Sequence, residues 1–230
     1  MSSAIVVVTG AAGALGKAVA AAFLGQGACV IAVDLDVAAL EKAWAGRLDV
    51  CTVAVDLTDA VASRAAITGA LGGRTAAVLC NIAGGFDMGP AVHDTGDALW
   101  RRMMDLNVGT VVNASAAVVP GMLAARAGKV INVSAASSAS GKGAMGAYCA
   151  AKSAVSRLTE SMAAELREQG INVNAVAPSM LDTLANRSAM PGADTSKWVS
   201  LDDLAAVIEF LASSRASAVH GAVIPVVGLS

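Results

Sequence analysis

The sequence predicts a doubly wound α/β fold, a seven-stranded parallel sheet with helices on both faces, built as one domain over residues 1–230. Three observations predict it. Short β-branched runs alternate with longer Ala-rich stretches along the chain, the order that a parallel sheet with crossover helices requires. The strand-like runs are apolar nearly throughout, as strands covered on both faces are. A glycine-rich turn, Thr9-Gly10-Ala11-Ala12-Gly13-Ala14-Leu15-Gly16, stands directly between the first such run and a helical stretch.

In chain order, the first strand, 4–9, feeds this turn and a helix over 17–24 follows. Small residues at Gly10, Gly13, Ala14 and Gly16, with Leu15 among them, let the backbone approach a pyrophosphate. The helix N-terminus adds unpaired N–H groups and a positive dipole end. The second strand, 29–34, ends in Asp34, whose carboxylate can accept hydrogen bonds from an adenosine ribose diol and repels a 2′-phosphate. No Lys or Arg lies beside Asp34 or within the turn, so NAD(H) is expected in preference to NADP(H). Strands at 52–56 and 76–80 precede a long helix around 100–119, and a fifth strand covers 129–134.

The next helix carries Ala147-Tyr148-Cys149-Ala150-Ala151-Lys152, which sets the only tyrosine and a lysine four residues apart on one face. A phenol of ordinary pKa near ~10 needs about 4 kcal/mol of phenolate stabilisation to work near neutrality. An ammonium about 4 Å away at an effective dielectric of about 20 supplies roughly that. A sixth strand, 172–177, and a seventh, 222–227, complete the sheet. Between them, 179–198 lacks clear periodicity and carries Pro191 and Gly192, which reads as a substrate lid. Met145, Met180, Met190 and Trp198 are candidates for an apolar pocket there, and Arg187 for receiving an anionic group.

Composition narrows the function. A hydrophobic fraction of 56% against 15% charge is high for a solitary monomer, so apolar surface is expected to be buried between subunits. A formal net charge of -2 without a Lys or Arg run provides no footprint for nucleic acid or an anionic membrane, leaving a small molecule as partner. The apolar stretch at 4–8 is too short for a signal peptide or a span and no basic residues precede it, so a cytoplasmic protein is expected. Cys29, Cys51, Cys80 and Cys149 are scattered and read as reduced thiols. His93 and His220 lie far apart with no ligand cluster, so no metal is expected, and no Gly-x-Ser-x-Gly elbow points to a hydrolase.

Taken together, these residues resemble the short-chain dehydrogenases/reductases over essentially the whole chain, which implies a Rossmann-type domain. The glycine turn resembles the family's cofactor loop, with Ala14 in place of the glycine of its compact branch and Gly13 giving the spacing of its extended branch. Asp56 and Leu57 resemble the adenine-contacting pair after the third strand, and Asn81-Ile82-Ala83-Gly84 resembles the Asn-Asn-Ala-Gly segment after the fourth, implying cofactor contacts at Asn81, Ala83 and Gly84. Pro178 and Thr183 resemble the segment that contacts the nicotinamide carboxamide, with Ser179 replacing a glycine. The resemblance implies that Tyr148 exchanges the proton, Lys152 lowers its pKa and binds the nicotinamide ribose, and Asn107 holds a relay water beside the lysine.

The family's serine, thirteen residues before the tyrosine, falls on Ala135. Either Ser137 or Ser138 supplies that hydroxyl through a loop shift, or the substrate manages without it. Ser134 is the poorer replacement, since strand neighbours face opposite ways. The resemblance implies an NAD-dependent oxidoreductase acting on a carbonyl or alcohol, assembled as a homo-oligomer, tetramer or dimer. The alanine, the Gly-Ala-Leu-Gly turn and the 181–191 segment also resemble quinonoid dihydropteridine reductases. The alternative from another class is a catalytically idle NAD-binding sensor or scaffold on the same fold.

Overall fold

The computed structural model describes residues 3–230. Its seven strands are β1 (Ile5–Thr9), β2 (Cys29–Asp34), β3 (Val50–Ala54), β4 (Val78–Asn81), β5 (Gly128–Val133), β6 (Ile171–Pro178) and β7 (Val223–Val226). All pair in parallel, in the order β3-β2-β1-β4-β5-β6-β7. The helices are α1 (Ala14–Gly25), α2 (Val37–Trp44), α3 (Ala60–Leu71), α4 (Asp97–Met104), α5 (Thr110–Ala125), α6 (Gly146–Leu166), α7 (Leu184–Ala189) and α8 (Leu201–Ala212). Every expected strand is present within two residues of its expected ends, and the doubly wound architecture is as read from the chain.

Strand sequences that are apolar at successive positions feed two cores at once, because neighbouring side chains leave the sheet on opposite faces. Val6 and Val8 of β1 pack with Val19 and Phe23 of α1 and Leu204, Ile208 and Leu211 of α8. Ile5 and Val7 pack on the other face with Ile67 of α3, Val118 and Met122 of α5 and Leu166 of α6. Asp36, Asp59 and Ser200 start α2, α3 and α8 by accepting first-turn N–H bonds, as these short polar side chains do at N-caps.

Two features differ from the sequence reading. Segment 179–198 is not irregular: it holds α7, started by Thr183, a turn at Thr195–Lys197, and a bridge between Leu181 and Val199. Its hydrogen bonds run within the segment, to Val199 and to the chain end at Val226–Ser230. The long helix runs from Asp97 to Ala125, passes through a π-turn at Asp105–Gly109, and is long and apolar enough to cross a bilayer. Met103, Ala114, Val118 and Met122 on it are instead fully or almost fully buried in the protein. Pro120 within α5 removes the N–H that would bond Ala116, and that carbonyl accepts from Arg64 at 3.4 Å.

Candidate active site

The connections leaving β1 and β4 run to opposite faces of the sheet, and beyond the strands' carboxyl ends lies a cavity of about 840 Å³. This is where ligands bind in open α/β sheets. Thr9 ties the two strand ends together, its hydroxyl oxygen accepting from the N–H groups of Ile82 at 2.9 Å and Ala83 at 3.0 Å.

One end of the cavity is backbone. Gly10 has φ +64°, and a Cβ there would lie 3.0 Å from the backbone of Ala83. At Gly16 a Cβ would come within 2.1 Å of the Gly10 carbonyl oxygen, so no side chain fits. Gly13 starts α1 without a side-chain cap, and Gly13, Ala14, Leu15 and Gly16 line the cavity. The helix N-terminus and the emptied backbone around it suit a pyrophosphate.

Asp34 lines the cavity beside this turn, its carboxylate accepting from the N–H groups of Ala12 at 2.9 Å and Leu35 at 2.7 Å. The helix-capping task falls to Asp36, which accepts from Ala39, so Asp34 is left to hold the turn and face the cavity. Asp56 and Leu57 line the same end; the Thr58 hydroxyl and N–H hold the Asp56 carboxyl below the usual carboxylate range. Ala83, Gly84 and Thr183 also line the cavity. A shaped, uncapped turn at one end and hydrogen-bonding side chains along the walls fit a dinucleotide.

Tyr148, Lys152 and Asn107 converge at the other end. Lys152 is 6% exposed, its Nζ donating to the Val133 carbonyl at 2.9 Å. Asn107 is wholly buried on the π-turn, where the widened backbone turns its amide onto Gly85: its Oδ1 accepts from the Gly85 N–H at 3.2 Å and its Nδ2 donates to the Gly85 carbonyl at 2.9 Å. A Cβ on Gly84 would lie 2.7 Å from Asn107 Oδ1 and 3.3 Å from Lys152 Nζ, which is how closely the three residues crowd.

The electrostatics differ from the expected acidified phenol. Burial, with a smaller repulsion from Cys149, pushes Tyr148 up to about 12, and burial pulls Lys152 down to about 8. The lysine's charge is directed to a backbone carbonyl, and desolvation sets the direction for the phenol. The protein alone therefore holds Tyr148 as a neutral hydroxyl.

Other expected positions lie outside the cavity lining. Asn81 is 2% exposed and serves the sheet, donating to Asn132 Oδ1 at 2.8 Å. Pro178 is buried at the end of β6. Ser137 is half-buried and is not part of the cavity lining. Ser138 is held in a cluster with Ser134 and Ser156, and Ser134 Oγ also donates to the Lys152 carbonyl at 2.9 Å. Met145, Met180, Met190 and Trp198 do not line the cavity; Leu181, Leu184 and Ala185 do. Arg187 is engaged by Asp182, with Nη2 and Oδ2 2.7 Å apart. Phe86 and Leu106 line the cavity without any prior signal in the sequence, because their approach depends on how the loop after β4 packs against the π-turn.

A sequence profile described as short chain dehydrogenase matches residues 4–193. The chain is 34% identical to 2-(S)-hydroxypropyl-CoM dehydrogenase 3 of Xanthobacter autotrophicus, over 97% of this chain and 95% of that one. It is 36% identical to galactitol 2-dehydrogenase of Rhizobium johnstonii, over 96% and 92% respectively. A crystal structure of a 3-oxoacyl-[acyl-carrier protein] reductase from Brucella melitensis with bound NAD superposes with TM-score 0.87 at 30% identity, covering 98% of this chain and 90% of that one. The chain belongs to the short-chain dehydrogenase/reductase family, oxidoreductases that bind a nicotinamide cofactor.

Proposed function

We propose that the protein is an NAD-dependent oxidoreductase that interconverts a small secondary alcohol and its ketone. The observation that carries this is one cavity with two ends: the glycine turn and Asp34 at one, Tyr148, Lys152 and Asn107 at the other. The names of its relatives, dehydrogenases of 2-(S)-hydroxypropyl-CoM and of galactitol, agree with such a substrate. Gly10, Gly13, Ala14, Leu15 and Gly16 would hold the pyrophosphate, Asp34 the adenosine ribose, and Lys152 the nicotinamide ribose. Asp34 favours NAD(H) over NADP(H). The nicotinamide, when bound, supplies a hydride donor or acceptor.

Proton handling falls to the chain. In reduction the Tyr148 hydroxyl donates to the carbonyl oxygen as it gains negative charge, and in oxidation its phenolate takes the alcohol proton. The neutral phenol held by the protein is the donating form. Lys152, with a pKa brought to about 8, is placed to return a proton near neutrality, and Asn107 to hold a water beside it. Segment 179–198 serves as the substrate lid, contributing Leu181, Thr183, Leu184 and Ala185 to the cavity. The exposed Met104, Val112 and Leu123 on α4 and α5 support a homo-oligomer, a tetramer or dimer.

The test is consumption of NADH with a panel of ketones, quinones and quinonoid pterin, and reduction of NAD by secondary alcohols. Turnover with a ketone or alcohol supports the reading, and turnover with quinonoid pterin alone would replace it with a dihydropteridine-type reductase. Ala135, buried where a hydroxyl would aid a carbonyl, favours a second reading as a catalytically idle cofactor-binding protein. Tight NADH binding with no turnover on any member would establish that second reading.

A further inference from the structure

We propose that the substrate carries an apolar, uncharged substituent, and that Phe86 is the residue that selects it. The inference rests on the oxidoreductase reading and names the substrate class of the same site. Phe86 lies edge-on to the Tyr148 ring, with centroids 5.0 Å apart and planes at 83°. It lines the cavity yet remains 55% exposed, so a large aromatic surface stands uncovered beside the reacting hydroxyl.

This position is held from both sides. Asn107 grips Gly85 through two hydrogen bonds, and the Gly89 N–H donates to the Ala144 carbonyl at 2.9 Å. Ala144 adopts φ +59°, a left-handed conformation that a non-glycine residue takes only where its surroundings enforce it. Between these anchors, Asp87 pairs with Arg102 at 3.0 Å. The exposed ring is therefore fixed over Tyr148 rather than swept across it.

The rest of that end is apolar too. Leu106 lies against the Phe86 segment, where a Cβ on Gly85 would meet its Cδ1 at 2.9 Å, and Leu181 and Leu184 also line the cavity, Leu184 being 85% exposed. The two arginines near the mouth have partners, Arg102 on Asp87 and Arg187 on Asp182. Lys17 and Lys152 are the lysines in the lining, one in the first turns of α1 at the glycine-turn end and the other buried one helical turn after Tyr148. Beside Tyr148 the one lysine is Lys152, engaged with the Val133 carbonyl, so among the described residues the lining there offers no unpaired cation to a carboxylate or sulfonate on the substrate. Covering Phe86 and Leu184 with an alkyl chain or aryl ring removes their surface from water.

The experiment is a kcat/KM series with NADH for unbranched 2-ketones from butanone to octanone and for acetophenone, against a 2-oxo acid, a sulfonated ketone and a ketose. Each buried methylene is expected to raise kcat/KM about fourfold, mostly through KM. Phe86→Ala and Leu184→Ser are expected to flatten that dependence. Leu184→Ser changes an exposed side chain, so it reports on the slope even if Phe86→Ala disturbs Tyr148. A flat series in the native enzyme, an unchanged slope in both variants, or highest activity on the acid, sulfonate or ketose overturns the inference while the oxidoreductase reading stands. No turnover of any carbonyl, with NADH still bound, overturns both.

Discussion

Replacing Lys152 with Met tests whether the catalytic ammonium is held at a cost to the fold. Burial brings Lys152 to about 8 from the ordinary 10.5. Its folded pKa lies below its unfolded one, so the unfolded chain binds the extra proton between those values, and stability must rise with pH across that window. The difference between 10.5 and 8, at about 1.4 kcal/mol per pH, comes to roughly 3 to 4 kcal/mol. That stability is fully present above pH 10.5 and is lost as pH falls through 8. Losing the bond to the Val133 carbonyl adds a roughly constant offset of about 1 kcal/mol and leaves the slope alone.

The assay is urea unfolding of native and Lys152→Met protein at one concentration, at several pH values from 7 to 11. Plotted against pH, native minus variant stability should climb by roughly 3 to 4 kcal/mol between 8 and 10.5 and flatten on either side. A flat difference, or one that falls with rising pH, would refute the assigned burial. The same variant should lose turnover.

Two further outcomes follow from the cofactor end. Asp34→Ser should weaken NADH binding about 10- to 100-fold, the usual worth of hydrogen bonds to a charged acceptor, while affecting NADPH far less; fluorescence titration with both cofactors measures it, and equal losses would remove Asp34 from discrimination. Gly16→Ala places a Cβ 2.1 Å from the Gly10 carbonyl oxygen, so NADH binding should be lost while the far-UV dichroism of the fold persists; retained affinity would show that the turn is not the pyrophosphate cradle.

Strands were legible because their signal is local: an unbroken apolar run such as Val6-Val7-Val8 supplies both cores whatever its neighbours are. The glycine turn and Asp34 were legible for the same reason, since the strand end, the turn and the helix start are contiguous. Tyr148 and Lys152 share a face by helical spacing, and the cavity receives both. Spacing takes no account of burial, however, and desolvation by the surrounding elements pushes the phenol of the protein alone upward.

What was not legible depends on distant partners. Asn81 resembles a cofactor residue in its segment, but its side chain meets Asn132 across the β4–β5 pairing. Arg187 looks available to a ligand until α7 brings Asp182 against it. The π-turn that aims Asn107 has no residue pattern of its own, and Phe86 sits in a loop whose course is set by Asn107 and Ala144.

The central claim is tested most directly by Tyr148→Phe, which keeps the ring against Phe86 and removes only the hydroxyl. On a ketone that the native protein reduces, single-turnover NADH oxidation should fall about 10²- to 10⁴-fold with the NADH dissociation constant unchanged. Oxidation of NADH at the native rate by the phenylalanine variant would contradict the assignment of Tyr148 as proton donor.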